Sequence, residues 1–209
     1  MGIPVLILGE SGSGKSASLR NFSPDEAAVF NVASKPLPFR GKLPKVDGCG
    51  YEDIKKALSK AKKKAFAIDD SQYLLVFAAF DRAKETGYGK FTDFALDFYN
   101  LIRFVVEQTP SDVIVYFLHH TERSEDGHTK AKTIGKMLDN QLTVEGLFPI
   151  VLLCRTDGTR HYFETQSDGF TTAKSPMGMF EPEIDNDLKA VDKTIREYWE
   201  LGAKNGEAK

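Results

Sequence analysis

A chain of 209 residues that is 41% hydrophobic and 28% charged can bury one globular core and is too apolar for a disordered polymer. Its formal net charge of -2 excludes a global basic field for nucleic acid, so any such contact must come from local patches. Cys49 and Cys154 stand apart with no metal-like or CxxC spacing, and no apolar run approaches the ~20 residues of a membrane helix. Free thiols and a cytoplasmic protein without a membrane span are therefore expected.

Ile3-Pro4-Val5-Leu6-Ile7-Leu8 is apolar on both faces and predicts a buried strand. A glycine-rich turn follows, with a helix expected from Lys15 to Phe22. Residues 28–31 predict a second strand, and residues 34–50, with several prolines and glycines, a loop. Residues 51–64 read as a helix with Ile54, Leu58 and Ala61 on one face. Ala65-Phe66-Ala67-Ile68 is a third short strand, followed by a helix over 71–84 and a break at Gly87 and Gly89. A long helix over 91–108 carries an apolar stripe of Ala95, Phe98, Leu101, Ile102 and Val105.

Residues 113–118 predict a fourth strand, 119–132 a polar loop and 134–142 a short helix. Residues 149–154 and 160–165 flank Thr156-Asp157-Gly158-Thr159, the pattern of a hairpin. Loop is expected over 166–183, a terminal helix over 185–201 and a frayed tail over 202–209. Alternating strands and helices predict an α/β fold with a mostly parallel sheet flanked by helices and ending in an antiparallel hairpin. The expected division is a main domain over 1–183, then a C-terminal helix and tail over 184–209.

The segment Gly9-Glu10-Ser11-Gly12-Ser13-Gly14-Lys15-Ser16 matches GxxxxGK[ST] without gaps. Glycines let the backbone curl so that N–H groups converge on one anion, and the following helix adds its positive end. Lys15 is expected to reach the β- and γ-phosphates and Ser16 to ligate magnesium, with Ala17 next in the nucleotide-binding set. In Phe66-Ala67-Ile68-Asp69-Asp70 an apolar strand ends in acid, the Walker B form. Asp69 is the expected magnesium partner. Asp70 either orients the attacking water or caps the next helix beside Ser71.

Asp69 falls on the third strand, so a strand intervenes in the chain between it and the glycine loop. If that strand also intervenes in the sheet, the order is that of RecA-like and AAA+ ATPases, not of kinases or GTPases. No NKxD-type guanine motif is present, which favours ATP.

Together the glycine loop, the Asp-ended strand, the strand ending in His119-His120 and the late hairpin followed by Ala173-Lys174 resemble phage RecA-like ATPases. These are the AAA-domain phage nucleotide-binding proteins, which include the Sak-type single-strand annealing proteins. The resemblance spans about Gly2 to Met179, and its specific motifs are the two Walker segments. It implies a RecA-like P-loop NTPase fold of the ASCE type. The implied activity is a magnesium-dependent ATPase that assembles as a homo-oligomer, ring or filament, with ATP between subunits. It further implies action on single-stranded DNA in recombination or annealing inside a bacterial host, with a single-strand-binding protein as a possible partner.

By the same resemblance His120, or His119, senses the γ-phosphate and moves a loop over 121–132. Arg123, Lys130 and Lys132 are candidate DNA contacts there, the alternative being a solvated loop. Lys174 would reach a neighbouring subunit's γ-phosphate, with Arg155 and Arg160 as competitors. Two departures stand out. Pro176 occupies the place of a further arginine, and residues 30–35 offer no catalytic glutamate after the second strand; either Asp70 substitutes, with Glu10 as a further candidate, or hydrolysis is slow.

Other features read as structural. The lysines between 55 and 64 suit a solvated helix face better than a nucleic-acid patch. The aromatics over 91–104 are core, Trp199 docks the last helix, and Phe170 is free to stack on a base or a neighbour. The rival to the recombination ATPase is a nucleotide-gated assembly or loader ATPase without DNA contact. A small-molecule kinase would need an arginine-rich lid, which is missing from the sequence.

Overall fold

Residues 4–9 are all buried in β1 (Ile3–Gly9), and the alternation of their side chains explains the whole architecture. Leu6 and Leu8 enter one core and Val5 and Ile7 the other, so the strand is covered on both faces and must be apolar throughout. The computed structural model describes residues 1–87, 89–134 and 142–202. The remaining strands are β2 (Ala27–Asn31), β3 (Lys45–Asp47), β4 (Ala65–Asp69), β5 (Ile114–Arg123), β6 (Thr129–Ala131), β7 (Ile150–Thr156), β8 (His161–Glu164) and β9 (Glu183–Asp185). The helices are α1 (Tyr51–Leu58), α2 (Gln72–Asp81), α3 (Gly89–Gln108) and α4 (Leu188–Tyr198).

The sheet runs β3-β2-β4-β5-β1-β7-β8-β9, with β6 attached to β5. All pairs from β3 to β7 are parallel; β8 and β9 return antiparallel, and β6 pairs antiparallel with the end of β5. The expected α/β fold with a mostly parallel sheet, flanking helices and a late antiparallel hairpin is thus observed. On one face α1, α2 and α3 bury Ile54, Leu75, Phe98, Leu101 and Ile102 against Leu6, Ile68 and Phe117. On the other, α4 places Leu188, Val191 and Ile195 against Ile7, Ala67 and Leu118. Each such side chain contributes roughly 1.5–3 kcal/mol of transfer free energy.

Polar ties fix α4 as well. The Asp187 carboxylate accepts from the N–H groups of Lys189 and Ala190, which caps the helix. The buried Tyr116 hydroxyl donates to Asp192 at 3.0 Å, and Arg196 donates to the carbonyls of Asp112 and Lys64, both at 2.8 Å. Trp199 packs against the same core, as its position on the last helix suggested.

Beyond shifts of a few residues at the ends of α2, α3 and α4, the structure departs from sequence expectation in five places. After the glycine loop there is only a short 3-10 turn, Ser16–Asn21, not a helix to Phe22. Pro24 disfavours helical geometry at Ser23, and the chain must turn at once into β2. Within the expected loop, β3 adds a parallel edge strand beside β2; its residues are all exposed, so no hydrophobic pattern announces it. Helix α1 stops at Leu58, where Ser59 bonds back to the Lys56 carbonyl and a lysine-rich turn leads into β4. Residues 119–132 are a β5–β6 hairpin, with Thr121, Glu122 and Arg123 paired to Ala131, Lys130 and Thr129. Backbone ladder bonds hold this polar segment where apolar burial cannot. Short β9 extends the late hairpin into three strands. The helix expected over 134–142 falls mostly, and the frayed tail over 202–209 almost wholly, outside the described residues.

Candidate functional site

The C-terminal ends of β1, β5 and β4 lie side by side, with Gly9 of β1 registered against His120 of β5. Loops at this edge of a parallel sheet form the crevice where ligands of open α/β folds bind. The loop over 9–16 curls there through Gly12 (φ 81°) and Gly14 (φ 103°), both in the left-handed region open to glycine. At Gly14 any side chain would also collide with His161, whose Nδ1 would lie 2.9 Å from an added Cβ. His161 Nδ1–H donates to the Ser13 carbonyl at 2.7 Å, and the Cys154 thiol donates to the same oxygen at 3.0 Å. The hairpin β7–β8 thereby clamps the loop from below. Cys154 is buried in its strand, and burial raises its thiol pKa to about 11, so it serves as an inert packing group.

Lys15 is 6% exposed, and its ammonium donates to the carbonyls of Gly9 and Glu10, both at 2.8 Å. No ion pair involves Lys15 among the described residues. Burial accordingly lowers its pKa, while more distant Cys154, Asp70 and Asp69 raise it. A buried cation hydrogen-bonded to loop carbonyls, with no carboxylate in ion-pair contact among the described residues, is poised for an anion.

The Ser16 hydroxyl donates to Asp69 Oδ1 at 2.6 Å across the cleft. Burial raises the Asp69 pKa, and the Ser16 hydrogen bond pulls it back. One hydroxyl and one carboxylate fit a magnesium ion that draws its other ligands from phosphate and water. Among the described residues no group of three or more His, Cys, Asp or Glu side chains forms a self-sufficient metal cage.

Asp70 adopts a left-handed backbone (φ 59°), at a cost of about 1 kcal/mol. The Ser71 N–H bond to the Leu118 carbonyl at 2.9 Å helps hold that turn. Its carboxylate does not cap α2. Instead it accepts from Lys35 Nζ at 2.7 Å and from His120 Nε2 at 3.2 Å. Burial alone would raise its pKa, but the hydrogen bonds from His120 and Lys35 outweigh this and hold it at about 2. The cleft among these groups has a volume of about 390 Å³ and includes Gly12, Lys15, Ser16, Ala17, Asp69 and Asp70. A neighbouring cleft, reached by Glu10, Ser11 and His120, extends along the β5–β6 hairpin to Arg123 and Lys132.

The two histidines at the β5 end diverge. His120 faces the cleft. His119 is fully buried, accepting from Ser71 Oγ at Nδ1 (2.9 Å) and donating from Nε2 to the Lys132 carbonyl (2.9 Å). It therefore ties the residue after Asp70 to the base of the hairpin. Burial lowers its pKa from 6.5 to about 4. A His whose folded pKa is depressed contributes stability fully present above 6.5 and lost as pH falls toward 4. Urea midpoints between pH 7 and 4 are expected to fall more steeply for the native chain than for His119→Gln; parallel curves would contradict this.

No protein-family model matches the chain, and no curated protein matches it. Its site is therefore read from its own geometry. The cleft gathers the loop residues, Asp69, Asp70 and His120. It does not gather Lys174, whose backbone bridges to Val151 at 2.8 Å in both directions, level with Leu6 near the middle of β1. Arg155 pairs with Glu164, and Arg160 with Asp157 and Glu183. On the β5–β6 hairpin, Lys130 pairs with Glu122 and Arg123 bonds the Gly127 carbonyl.

Sequence reading missed Lys35 and His161. Lys35 is the sole charged residue over 32–39, directly after the second strand, and that isolation was a usable signal. His161 carried none, because its approach to Gly14 exists only once β8 folds beside β7.

Proposed function

We propose that the chain is a RecA-like P-loop ATPase that binds and hydrolyses ATP with magnesium. The observation that carries this reading is the buried Lys15 ammonium, in no ion pair with a carboxylate among the described residues, beside the Ser16–Asp69 hydrogen bond across a glycine loop. The strand order supports the RecA-like type. The separating strand is β5, not the β2 that intervenes in the chain, and its insertion sets His120 between the glycine loop and Asp70.

In this reading the Lys15 ammonium leaves the loop carbonyls for the β- and γ-phosphates, and Ala17 lines the cleft beside them. Ser16 and Asp69 would hold magnesium, which would supply positive charge to offset that of the phosphate oxygens. Asp70, ionised at neutral pH and held by His120, orients the attacking water. Lys174 can act only on a neighbouring subunit's nucleotide, which requires a ring or filament with ATP between copies.

Action on single-stranded DNA in recombination or annealing is the favoured use, with the β5–β6 hairpin as the element that grips the strand. Its extension of the nucleotide cleft supports this. ATP turnover is expected to rise severalfold on adding single-stranded DNA, read by phosphate release alongside a binding titration. If DNA neither binds nor alters turnover, the recombination reading fails. A nucleotide-gated assembly or loader ATPase is the second reading. The exposure of Phe80 (74%) and Leu96 (46%) on adjacent helices favours it, since such a surface suits another protein. Solution mass with ATP, ADP and no nucleotide separates the two.

A further inference from the structure

Among the described residues lining the phosphate cleft, Lys15 and Lys35 alone carry fixed positive charge. Lys35 does not sit there by chance of a flexible side chain. Its carbonyl accepts from the fully buried Asn31 Nδ2 at 2.7 Å, its neighbour Ser34 is held at φ 55°, and Pro36 follows. Asn31 is itself registered against Asp69 in the sheet. The ammonium lies 4.9 Å from the Tyr73 ring centroid and 2.7 Å from Asp70 Oδ2. The Lys35 side chain is 56% exposed, whereas Asp70 is 12% exposed, so the lysine can leave the pair while the carboxylate cannot.

We infer that Lys35 is a specificity-determining cation that distinguishes nucleoside triphosphate from diphosphate within a single chain. Asp70 is its resting partner. The inference rests on the nucleotide-binding reading above. A terminal phosphate brings more negative charge into the cleft than the single Asp70 carboxylate and competes for the ammonium. A diphosphate ends one group earlier and leaves the Lys35–Asp70 pair in place. Transfer of Lys35 frees one oxygen of Asp70, while His120 retains the other. That oxygen is then open to hydrogen-bond a water only when the third phosphate is present. The cation thus occupies the place after the second strand where the resemblance implies an acid, and makes access to Asp70, just after β4, conditional.

The test is calorimetric titration of the full chain with AMP-PNP and with ADP, both with magnesium, for the native protein and three variants. Lys35→Ala is expected to weaken AMP-PNP about tenfold and ADP by less than about twofold. Lys35→Arg should keep most of the preference. Asp70→Asn, whose asparagine tolerates the left-handed backbone, should keep or increase it, because the competing charge is gone. Equal losses for both nucleotides in Lys35→Ala, or no loss, overturn the inference. So does loss of the preference in Asp70→Asn, which would mark the pair as structural. If the native chain binds both nucleotides and only the Lys35 pattern fails, the phosphate-site reading survives alone. If it binds neither, both readings fall.

Discussion

Replacement of Lys15 by alanine is expected to lower ATP affinity at least about a hundredfold, measured by calorimetry. The reasoning is electrostatic. The ammonium is buried, its pKa is lowered by desolvation, and among the described residues its hydrogen bonds go to the carbonyls of Gly9 and Glu10. Triphosphate oxygens would give that charge the partner it lacks, so the lysine contributes far more to the complex than to the free protein. For the same reason the substitution should not unfold the chain. Removing a desolvated cation relieves a penalty, against which stands the loss of two donors to loop carbonyls. A thermal midpoint within a few degrees of native, with ATP binding lost, is the expected pair of results. Unchanged affinity would end the phosphate-site assignment.

Asp69→Asn is expected to reduce magnesium-dependent turnover on the order of a hundredfold or more. Asparagine keeps the shape and leaves an oxygen to accept from Ser16, so the cleft should persist. What disappears is the carboxylate charge that accepts from Ser16. ATP binding in the presence of a chelator should be nearly the same in variant and native protein. That contrast separates a magnesium ligand from a merely structural acid. Stability should hold or rise, since burial already pushes the Asp69 pKa up and a neutral residue avoids that cost. Native turnover in this variant would remove Asp69 from the metal site.

The neighbouring acid behaves differently, although the two are adjacent in the chain. Asp69 ends β4 and faces Ser16; Asp70 turns through a left-handed backbone and faces Lys35 and His120. One pKa rises and the other falls to about 2. Nothing in Asp-Asp as a dipeptide foretells this division, because it depends on which charges the loop after β2 and the end of β5 bring near.

The glycine loop and its strand were legible because both obey local rules: a run apolar on both faces, then glycines where the backbone must turn left-handed. The long helix α3 was legible through its apolar stripe, and the β7–β8 hairpin through its Asp-Gly turn. The β5–β6 hairpin and β3 were not, since both are held by backbone ladders among polar or exposed residues. Helix α1 ended six residues before its expected limit at Lys64, where the chain must turn into β4 and sequence periodicity does not reveal the stop.

By itself, then, the sequence determined the α/β alternation, the glycine loop over 9–16 and its pairing with an acid-ended strand. Those follow from short-range periodicity and from residue chemistry that means the same in any context. Only the tertiary structure decided that β5 separates β1 from β4, that His120 faces the cleft while His119 is sealed beneath the hairpin, and that Lys174 stands away from the loop. It also set Lys35 against Asp70 across a long stretch of chain. Those facts depend on sheet order and on contacts between distant segments, which a one-dimensional pattern does not encode.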